Sequence, residues 1–220
     1  MKNWIILLSL FCIACGNNLT KENSEFQLKV GDFLFQDLDS SPLCDAIELV
    51  TPGYKGANFS HNGLIVSVAG ELKVLEALPP KVMLTTINDF LNRSFDKNGS
   101  PKVTVGRLKR EYQQSIKEAV LFAKKQIGVA YDNAFLMNNN SYYCSELIYE
   151  AFEKDSIFKL KPMTFLHPIT NDTLAVWKEY YANLAVKIPQ NKAGINPGIM
   201  SLSDKIEVVH VYGIPDGMKD

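Results

Sequence analysis

The sequence predicts one α+β domain, and three observations support this fold class. Apolar residues recur at helical spacing in some segments and alternate with polar residues in others, which indicates both helices and strands. Two strand-like segments, 59–68 and 72–77, are separated by Ala69 and Gly70, as is typical of a β-hairpin. The 220 residues carry no repeat and no low-complexity linker, so a single core is expected.

The elements follow in order along the chain. A strand is predicted over 29–36, and Ser41 followed by Pro42 is typical of a helix start, with the helix ending before Pro52. After the hairpin, a short helix over 86–93 begins at Thr86. The remaining predicted elements are a strand over 102–108, a long helix over 111–127, a helix over 174–181 and strands over 185–188 and 206–212.

The charge balance excludes some classes of partner. Lysine and arginine number 23 against 24 acidic residues, giving a net charge of −1. The chain therefore lacks the excess of positive charge that is typical of nucleic-acid-binding proteins, and no run of basic residues suggests a polybasic membrane patch.

The first residues are typical of an export signal. Lys2 precedes an apolar run over 4–13, too short for a comfortable membrane span but suitable for a signal-peptide core. Ala14 before Cys15 resembles a bacterial lipobox, although Cys12 stands where leucine is usual. We expect a signal peptide over 1–14, lipidation at Cys15, a tether over 15–27 and a domain over 28–220. This arrangement predicts an exported protein whose contact with a bacterial membrane is its lipid anchor. The alternatives are an ordinary cleaved signal peptide and an uncleaved anchor.

Cys144 directly precedes a predicted amphipathic helix that begins at Ser145, with Ser141 as its expected cap. A helix N-terminus favours a thiolate through its partial positive charge and unpaired N–H groups. The alternative is a small buried core residue, the commoner fate of a free cysteine. Cys44 lies off the apolar stripe of its own helix, and a disulfide with Cys144, though possible by parity, is disfavoured for that reason.

Hairpin parity places a carboxylate near a histidine. His61 opens the first hairpin strand, and a two-residue turn puts Glu76 opposite Gly63, one diagonal step from His61 on the same face. Gly63 would then leave room for the carboxylate to approach the imidazole. A glutamate that orients a histidine, and a histidine that activates a cysteine, form a generalised triad. If the turn had an odd length, Glu76 would lie on the other face.

These motifs together resemble the YiiX-like branch of the permuted NlpC-type papain-fold hydrolases. The resemblance is carried by the segments 60–66, 75–77 and 143–148, and it covers most of the chain after residue 28. It implies a circularly permuted papain-like fold, with a small antiparallel barrel or sheet packed on the helix that carries the cysteine. It further implies Cys144 as nucleophile, His61 as general base and acid, and Glu76 as the residue that orients His61. The implied reaction is amide hydrolysis through a thioester, on cell-wall peptides or small amino-acid amides.

Other residues and functions remain open at this stage. Tyr131 and Tyr143 are candidate substrate contacts, and Asp132 either binds a substrate amine or caps a turn. His167 and His210 lack metal-ligand spacing, so neither a metal nor a cofactor is expected. The alternative functions are lipid-directed acyl transfer or thioester hydrolysis, as in the related lecithin:retinol acyltransferase group, and an inactive lipoprotein that binds cell-wall fragments.

Overall fold

A six-stranded antiparallel sheet forms the centre of the molecule. A computed structural model describes residues 26–220, and its large sheet has the strand order β4-β3-β2-β1-β5-β8. The strands of this sheet are β1 (Phe33–Gln36), β2 (His61–Val68), β3 (Glu71–Leu78), β4 (Lys81–Thr85), β5 (Val103–Leu108) and β8 (Ile206–Val211). A separate two-stranded sheet pairs β6 (Lys161–Pro162) with β7 (Ala193–Gly194).

Helices cover the sheet and build a second apolar layer. They are α1 (Pro42–Val50), α2 (Ile87–Leu91), α3 (Ile116–Lys125), α4 (Cys144–Ala151), α5 (Ala175–Leu184) and α6 (Pro197–Ser201). The largest core joins α3 and α4 to one face of the sheet, and a smaller core under Phe90 of α2 covers the other face. A third cluster, which includes Ala46 of α1 and Trp177 of α5, packs beside the sheet. The predicted α+β class is confirmed.

The central hairpin forms as the sequence predicts. Ala69 and Gly70 both have positive φ, at 51° and 86°, the conformation that a tight two-residue turn requires. The register pairs Leu64 with Leu75, which brings Gly63 opposite Glu76 at the next position. The predicted register, with Glu76 opposite Gly63 on the face of His61, is therefore confirmed.

Several predicted boundaries are also confirmed. Helix α1 begins at Pro42, and Thr86 caps α2 by accepting the backbone N–H of Asp89 at 3.0 Å. Strand β5 and strand β8 lie within one residue of their predicted ranges.

Other predictions are wrong for local reasons. Residues 185–188 form no strand, because Ala185 ends α5 in the left-handed region with φ 54°. Tyr143, not Ser141, is the N-cap residue of α4, since the Ser141 hydroxyl donates to Asn139 instead. The long helix is shorter than predicted, because residues 110–115 form a 3₁₀ segment before α3. Strand β4 and helix α6 were not predicted at all.

The predictions for the N-terminus fall outside the described residues. These are the signal peptide over 1–14, the lipidation of Cys15 and most of the tether over 15–27. At the start of the described chain, Phe26 already packs on the domain, with its ring stacked on His210 at 4.2 Å between centroids. Within residues 26–220, no helix is long and apolar enough to cross a membrane.

Lys102 is a buried cation that joins three carboxylates. Its side chain is 3% exposed, and its Nζ lies 3.1 Å from Asp37, 2.7 Å from Asp39 and 3.2 Å from Asp216. Burial raises the pKa of Asp37, and hydrogen bonds from Asp216 and Lys102 only partly offset that shift. This cluster ties the C-terminal segment to the end of β1.

We expect Lys102→Met to destabilise the protein by about 3–5 kcal/mol at pH 7, because the substitution leaves the buried Asp37 carboxylate without its cation. The loss of unfolding free energy should be smaller at acidic pH, because Asp37, whose pKa is raised, takes up a proton readily in the folded state. Urea denaturation of both proteins at pH 7 and pH 4 measures the effect.

The matched control is Lys73→Met, which removes a solvent-exposed pair with Glu71. That pair should contribute at most about 1 kcal/mol. An equal loss in the two variants would contradict the importance of the Lys102 cluster.

Candidate active site

Cys144 is the first residue of α4 and is held at one end of the sheet. Tyr143 before it is extended, with φ −88° and ψ 169°, so the helix begins at the cysteine. Leu147 and Ile148, one turn later, are fully buried in the largest core and fix the helix against the sheet. The Cys144 side chain is therefore positioned by a helix start, with the first amide groups of α4 unpaired within the helix.

His61 connects Cys144 to Glu76. The Nε2 atom of His61 lies 2.6 Å from Oε2 of Glu76, and the two side chains are 4% and 0% exposed. Cys144 lies beside the imidazole in the same cavity and contributes to raising the pKa of His61. Because Nε2 is engaged by the carboxylate, Nδ1 is the ring atom available to the sulfur. The three residues singled out in the sequence are thus brought together in the order cysteine, histidine, glutamate.

Gly63 does not serve the purpose predicted for it. A Cβ at this position would lie 2.4 Å from Val74 Cγ1 and 3.2 Å from Phe90 Cε2. The absence of a side chain therefore makes room for the core under α2 rather than for Glu76. Glu76 reaches His61 by the diagonal geometry of the hairpin alone.

Arg93 and Thr85 hold the Glu76 carboxylate from its other side. Arg93 donates to both carboxylate oxygens, at 2.7 and 2.6 Å, and the Thr85 hydroxyl donates to Oε1. Burial alone would raise the pKa of Glu76, but the hydrogen bonds and charges of Arg93 and His61 lower it to about 2. Glu76 therefore remains ionised throughout the neutral range. Sequence analysis missed Arg93, whose position just after a short helix offers no specific signal.

His61 stays protonated at neutral pH. Burial disfavours the imidazolium, but its hydrogen bond to the Glu76 carboxylate and its interactions with Cys144 and with the Glu76 charge raise the pKa of His61 to about 9. An imidazolium beside the sulfur favours the thiolate form of a cysteine. The site thus places a positive charge beside the sulfur of Cys144.

We expect Glu76→Gln to reduce kcat/KM for the amide hydrolysis that the sequence predicts on the order of 10- to 100-fold, less than loss of the histidine itself, since orientation contributes less than the base. Without the carboxylate charge, the pKa of His61 should fall below about 9. The alkaline limb of the pH–rate profile should therefore shift to lower pH. A pH–rate profile that kept its alkaline limb in this variant would contradict the role of Glu76.

A side-chain hydrogen bond joins the strand that carries His61 to the helix that begins at Cys144. The Asn62 side chain on β2 donates to the Ser145 hydroxyl on α4 at 3.1 Å. Asn62 follows His61 and Ser145 follows Cys144, so this bond fixes the two neighbouring side chains relative to each other. Sequence reasoning could have found this pair only from its adjacency to both candidate residues.

Glu146 adds no negative charge to the site at neutral pH. It is fully buried, and burial raises its pKa to about 8, against the opposing hydrogen bond from the Asn138 backbone N–H at 3.2 Å. A neutral carboxyl two residues after Cys144 does not oppose a thiolate there.

The predicted substrate contacts divide into two groups. Tyr131 and Tyr143 line a cavity of about 290 Å³ that also reaches Cys144 and His61. Asp132 does not line it. Its carboxylate accepts the backbone N–H groups of Ala134 and Leu136, at 2.8 and 2.6 Å, which matches the turn alternative.

The histidines outside the site have structural contacts. His167 Nδ1 accepts the backbone N–H groups of Ile169 and Thr170, at 3.2 and 3.3 Å. His210 stacks on Phe26. Among the described residues, the one group of side chains that could converge on a metal is Asp37, Asp39 and Asp216, and Lys102 already occupies the position of a cation among them.

Comparisons with known proteins agree with this fold. A family described as "Permuted papain-like amidase enzyme, YaeF/YiiX, C92 family" matches residues 27–210. The uncharacterized protein YiiX of Escherichia coli K12 is 27% identical over 153 residues, which cover 70% of this chain and 68% of that protein. A crystal structure titled as the metalloprotein yiiX from Escherichia coli O157:H7 superposes with a TM-score of 0.68 at 22% identity, covering 86% of this chain and 99% of the other.

Proposed function

Because this chain belongs to the YaeF/YiiX family of permuted papain-like amidases, we propose that it is a cysteine amidase whose triad is Cys144, His61 and Glu76. The observation that carries this proposal is the position of His61: its Nε2 lies 2.6 Å from the Glu76 carboxylate, and its imidazole shares a cavity with the Cys144 thiol, which helps to raise the pKa of the ring. Arg93 donates hydrogen bonds to both oxygens of the Glu76 carboxylate and so keeps it ionised. A structural cysteine needs none of these partners.

In the first step, the Cys144 thiolate attacks the carbonyl carbon of the amide. The negative charge that develops on the carbonyl oxygen is stabilised by the backbone N–H of Cys144, which the helix start leaves without an intrahelical acceptor. The carbon–nitrogen bond then breaks, and the His61 imidazolium gives its proton to the departing amine. The product of this step is a thioester between the substrate acyl group and Cys144.

In the second step, water hydrolyses the thioester. Neutral His61 takes a proton from the water as its oxygen attacks the thioester carbonyl, and the carbon–sulfur bond breaks to release a carboxylic acid. Glu76 keeps the ring oriented in both steps and stabilises the imidazolium each time it forms. The chain's own residues supply all the proton transfers. Among the described residues, the one group of carboxylates that could converge on a metal already surrounds the Lys102 ammonium, and no step here is routed through a metal.

The proposed location is the bacterial cell envelope. The support for this is the sequence of the first residues, with an apolar run over 4–13 and Cys15 in a lipobox-like setting. A lipid on Cys15 would tether the domain to the membrane and bring it to envelope amides, which include cell-wall peptides. Radiolabelled palmitate incorporated into the intact chain, and lost in Cys15→Ala, would test this location.

The proposed nucleophile is tested by alkylation with iodoacetamide at pH 7. We expect Cys144 to react at least 10-fold faster than Cys44, because the His61 imidazolium favours its thiolate. Mass spectrometry of peptides measures both rates in the same sample. The fast label should disappear in Cys144→Ala and persist in Cys44→Ala.

Cys44 is a demanding control, because it is also buried, free and part of the same cavity. If Cys144 labels no faster than Cys44, the nucleophile assignment fails and the alternative of an inactive binding protein gains support.

A further inference from the structure

The Ser145 hydroxyl contacts both the Asn62 amide and the Cys144 sulfur. Ser145 is the second residue of α4 and is fully buried. Its Oγ atom lies 3.1 Å from Nδ2 of Asn62 and 3.8 Å from Sγ of Cys144. A serine hydroxyl has one proton to donate, and its oxygen can accept hydrogen bonds as well. The direction of that one proton therefore decides what Ser145 contributes to the site.

The orientation of the Asn62 amide determines where the Ser145 proton can go. Asn62 is fully buried, and its Nδ2 atom lies 3.1 Å from Oγ of Ser145 and 3.1 Å from Sδ of Met200. A thioether sulfur accepts hydrogen bonds and cannot donate them, so the amide turns its nitrogen toward these two atoms. Oδ1 of Asn62 has no partner among the described residues, so the two acceptors of Nδ2 determine this orientation. The Ser145 oxygen consequently accepts from Asn62, and its proton points elsewhere.

The Cys144 sulfur is the acceptor left for that proton. Among residues 26–220, the Ser145 hydroxyl has two hydrogen-bonding partners, and Asn62 already acts as the donor in one of these bonds. The distance of 3.8 Å to the sulfur is long, but hydrogen bonds in a site without substrate commonly tighten during the reaction. A negatively charged sulfur also attracts a donor more strongly than a neutral thiol does.

We propose that the Ser145 hydroxyl donates a hydrogen bond to the Cys144 thiolate, and that Asn62 is the positioning residue that directs the hydroxyl proton to the sulfur. The proposal rests on the proposed amidase function, in which Cys144 is the nucleophile. The hydrogen bond stabilises the thiolate before it attacks the amide. It acts again when the carbon–sulfur bond of the thioester breaks, because the electron pair of that bond goes to the sulfur.

The pH dependence of alkylation tests the proposal without any substrate. In a Cys44→Ser background, the rate at which iodoacetamide alkylates Cys144 rises with pH as the thiolate forms, and mass spectrometry of peptides measures the midpoint of this rise. We expect Ser145→Ala to move the midpoint to higher pH by about one unit, the equivalent of about 1.4 kcal/mol, as is typical for the loss of one hydrogen bond to a charged group. An unchanged midpoint in a folded Ser145→Ala protein would overturn the proposal.

The matched control is Ser201→Ala, which removes another buried serine hydroxyl. The Ser201 hydroxyl donates to the Gly198 carbonyl at 2.7 Å and accepts the Tyr54 backbone N–H at 2.9 Å. Its loss should lower the stability to urea but leave the midpoint of Cys144 alkylation unchanged, because these hydrogen bonds are to the backbone rather than to the sulfur. A shift as large as that of Ser145→Ala would mean that lost stability moves the midpoint, and it would count against the proposal.

Asn62→Asp tests the positioning role. The substitution keeps the shape of the side chain but replaces the donor with a carboxylate oxygen, which can accept the Ser145 proton and draw it away from the sulfur. We expect an upward shift of the midpoint that becomes clearly smaller in the Ser145→Ala background, where there is no hydroxyl to redirect. A direct effect of the new charge on Cys144 would be equal in both backgrounds, and that result would exclude Asn62 as the positioning residue.

The labelling data also separate this proposal from the proposed function. If Cys144 reacts faster than an ordinary thiol at neutral pH but Ser145→Ala does not move the midpoint, the hydrogen bond is refuted and the nucleophile stands. If Cys144 of the unmodified protein reacts no faster than an ordinary thiol, the proposed function fails, and this proposal fails with it.

Discussion

Replacing Cys144 by alanine is expected to lower kcat/KM for amide hydrolysis on the order of 10⁴-fold or more. Without the sulfur no thioester can form, and the remaining site provides only electrostatic stabilisation and binding. Cys144 is 7% exposed, and its sulfur makes one weak contact with the Ser145 hydroxyl, at 3.8 Å. Its truncation should therefore leave the fold and the melting temperature nearly unchanged.

The measurement combines steady-state kinetics with mass spectrometry of the quenched reaction. The unmodified protein should accumulate an acyl adduct on the peptide that contains Cys144, and the variant should show none. Cys44→Ala is the matched control and should retain turnover and form the adduct. An alanine variant at position 144 that still hydrolysed amides at a similar rate would show that the nucleophile lies elsewhere.

The pairing of His61 with Glu76 could be predicted because its geometry depends on short-range features. A two-residue turn at Ala69 and Gly70 determines the parity of the hairpin, and parity alone places Glu76 one diagonal from His61. The helix start at Cys144 follows from the apolar spacing of the residues after it. These predictions needed no knowledge of how distant segments pack.

The partners of Glu76 could not be predicted in the same way. Thr85 reaches the carboxylate through β4, a strand that the sequence analysis missed, and Arg93 reaches it only because α2 folds back over the sheet. The link between Asn62 and Ser145 spans 83 positions of sequence. A contact between residues so far apart in the sequence leaves no local sequence pattern.

The cavity also depends on tertiary structure. Cys44 lies off the apolar stripe predicted for α1, yet it is buried and lines the cavity, because the neighbours of α1 are α5 and the segment before α6 rather than the main sheet.

Replacing His61 by alanine is expected to reduce kcat/KM by about 10³- to 10⁴-fold, because the site loses the group that protonates the amine and activates the water. The fold should persist, since Arg93 and Thr85 still pair with the Glu76 carboxylate. Far-UV circular dichroism and a urea titration check this point. Full turnover in a folded His61→Ala protein would exclude His61 as the general acid and base.

The pH dependence distinguishes this role from a structural one. The pKa of His61 lies at about 9 in the folded protein, above its ordinary value of 6.5. The imidazolium and its stabilising interactions are therefore fully present below pH 6.5 and are lost as the pH rises through about 9. We expect kcat/KM of the unmodified protein to fall above pH 9 and the residual activity of His61→Ala to lack that alkaline limb. An alkaline limb that is identical in both proteins would assign the titration to another group.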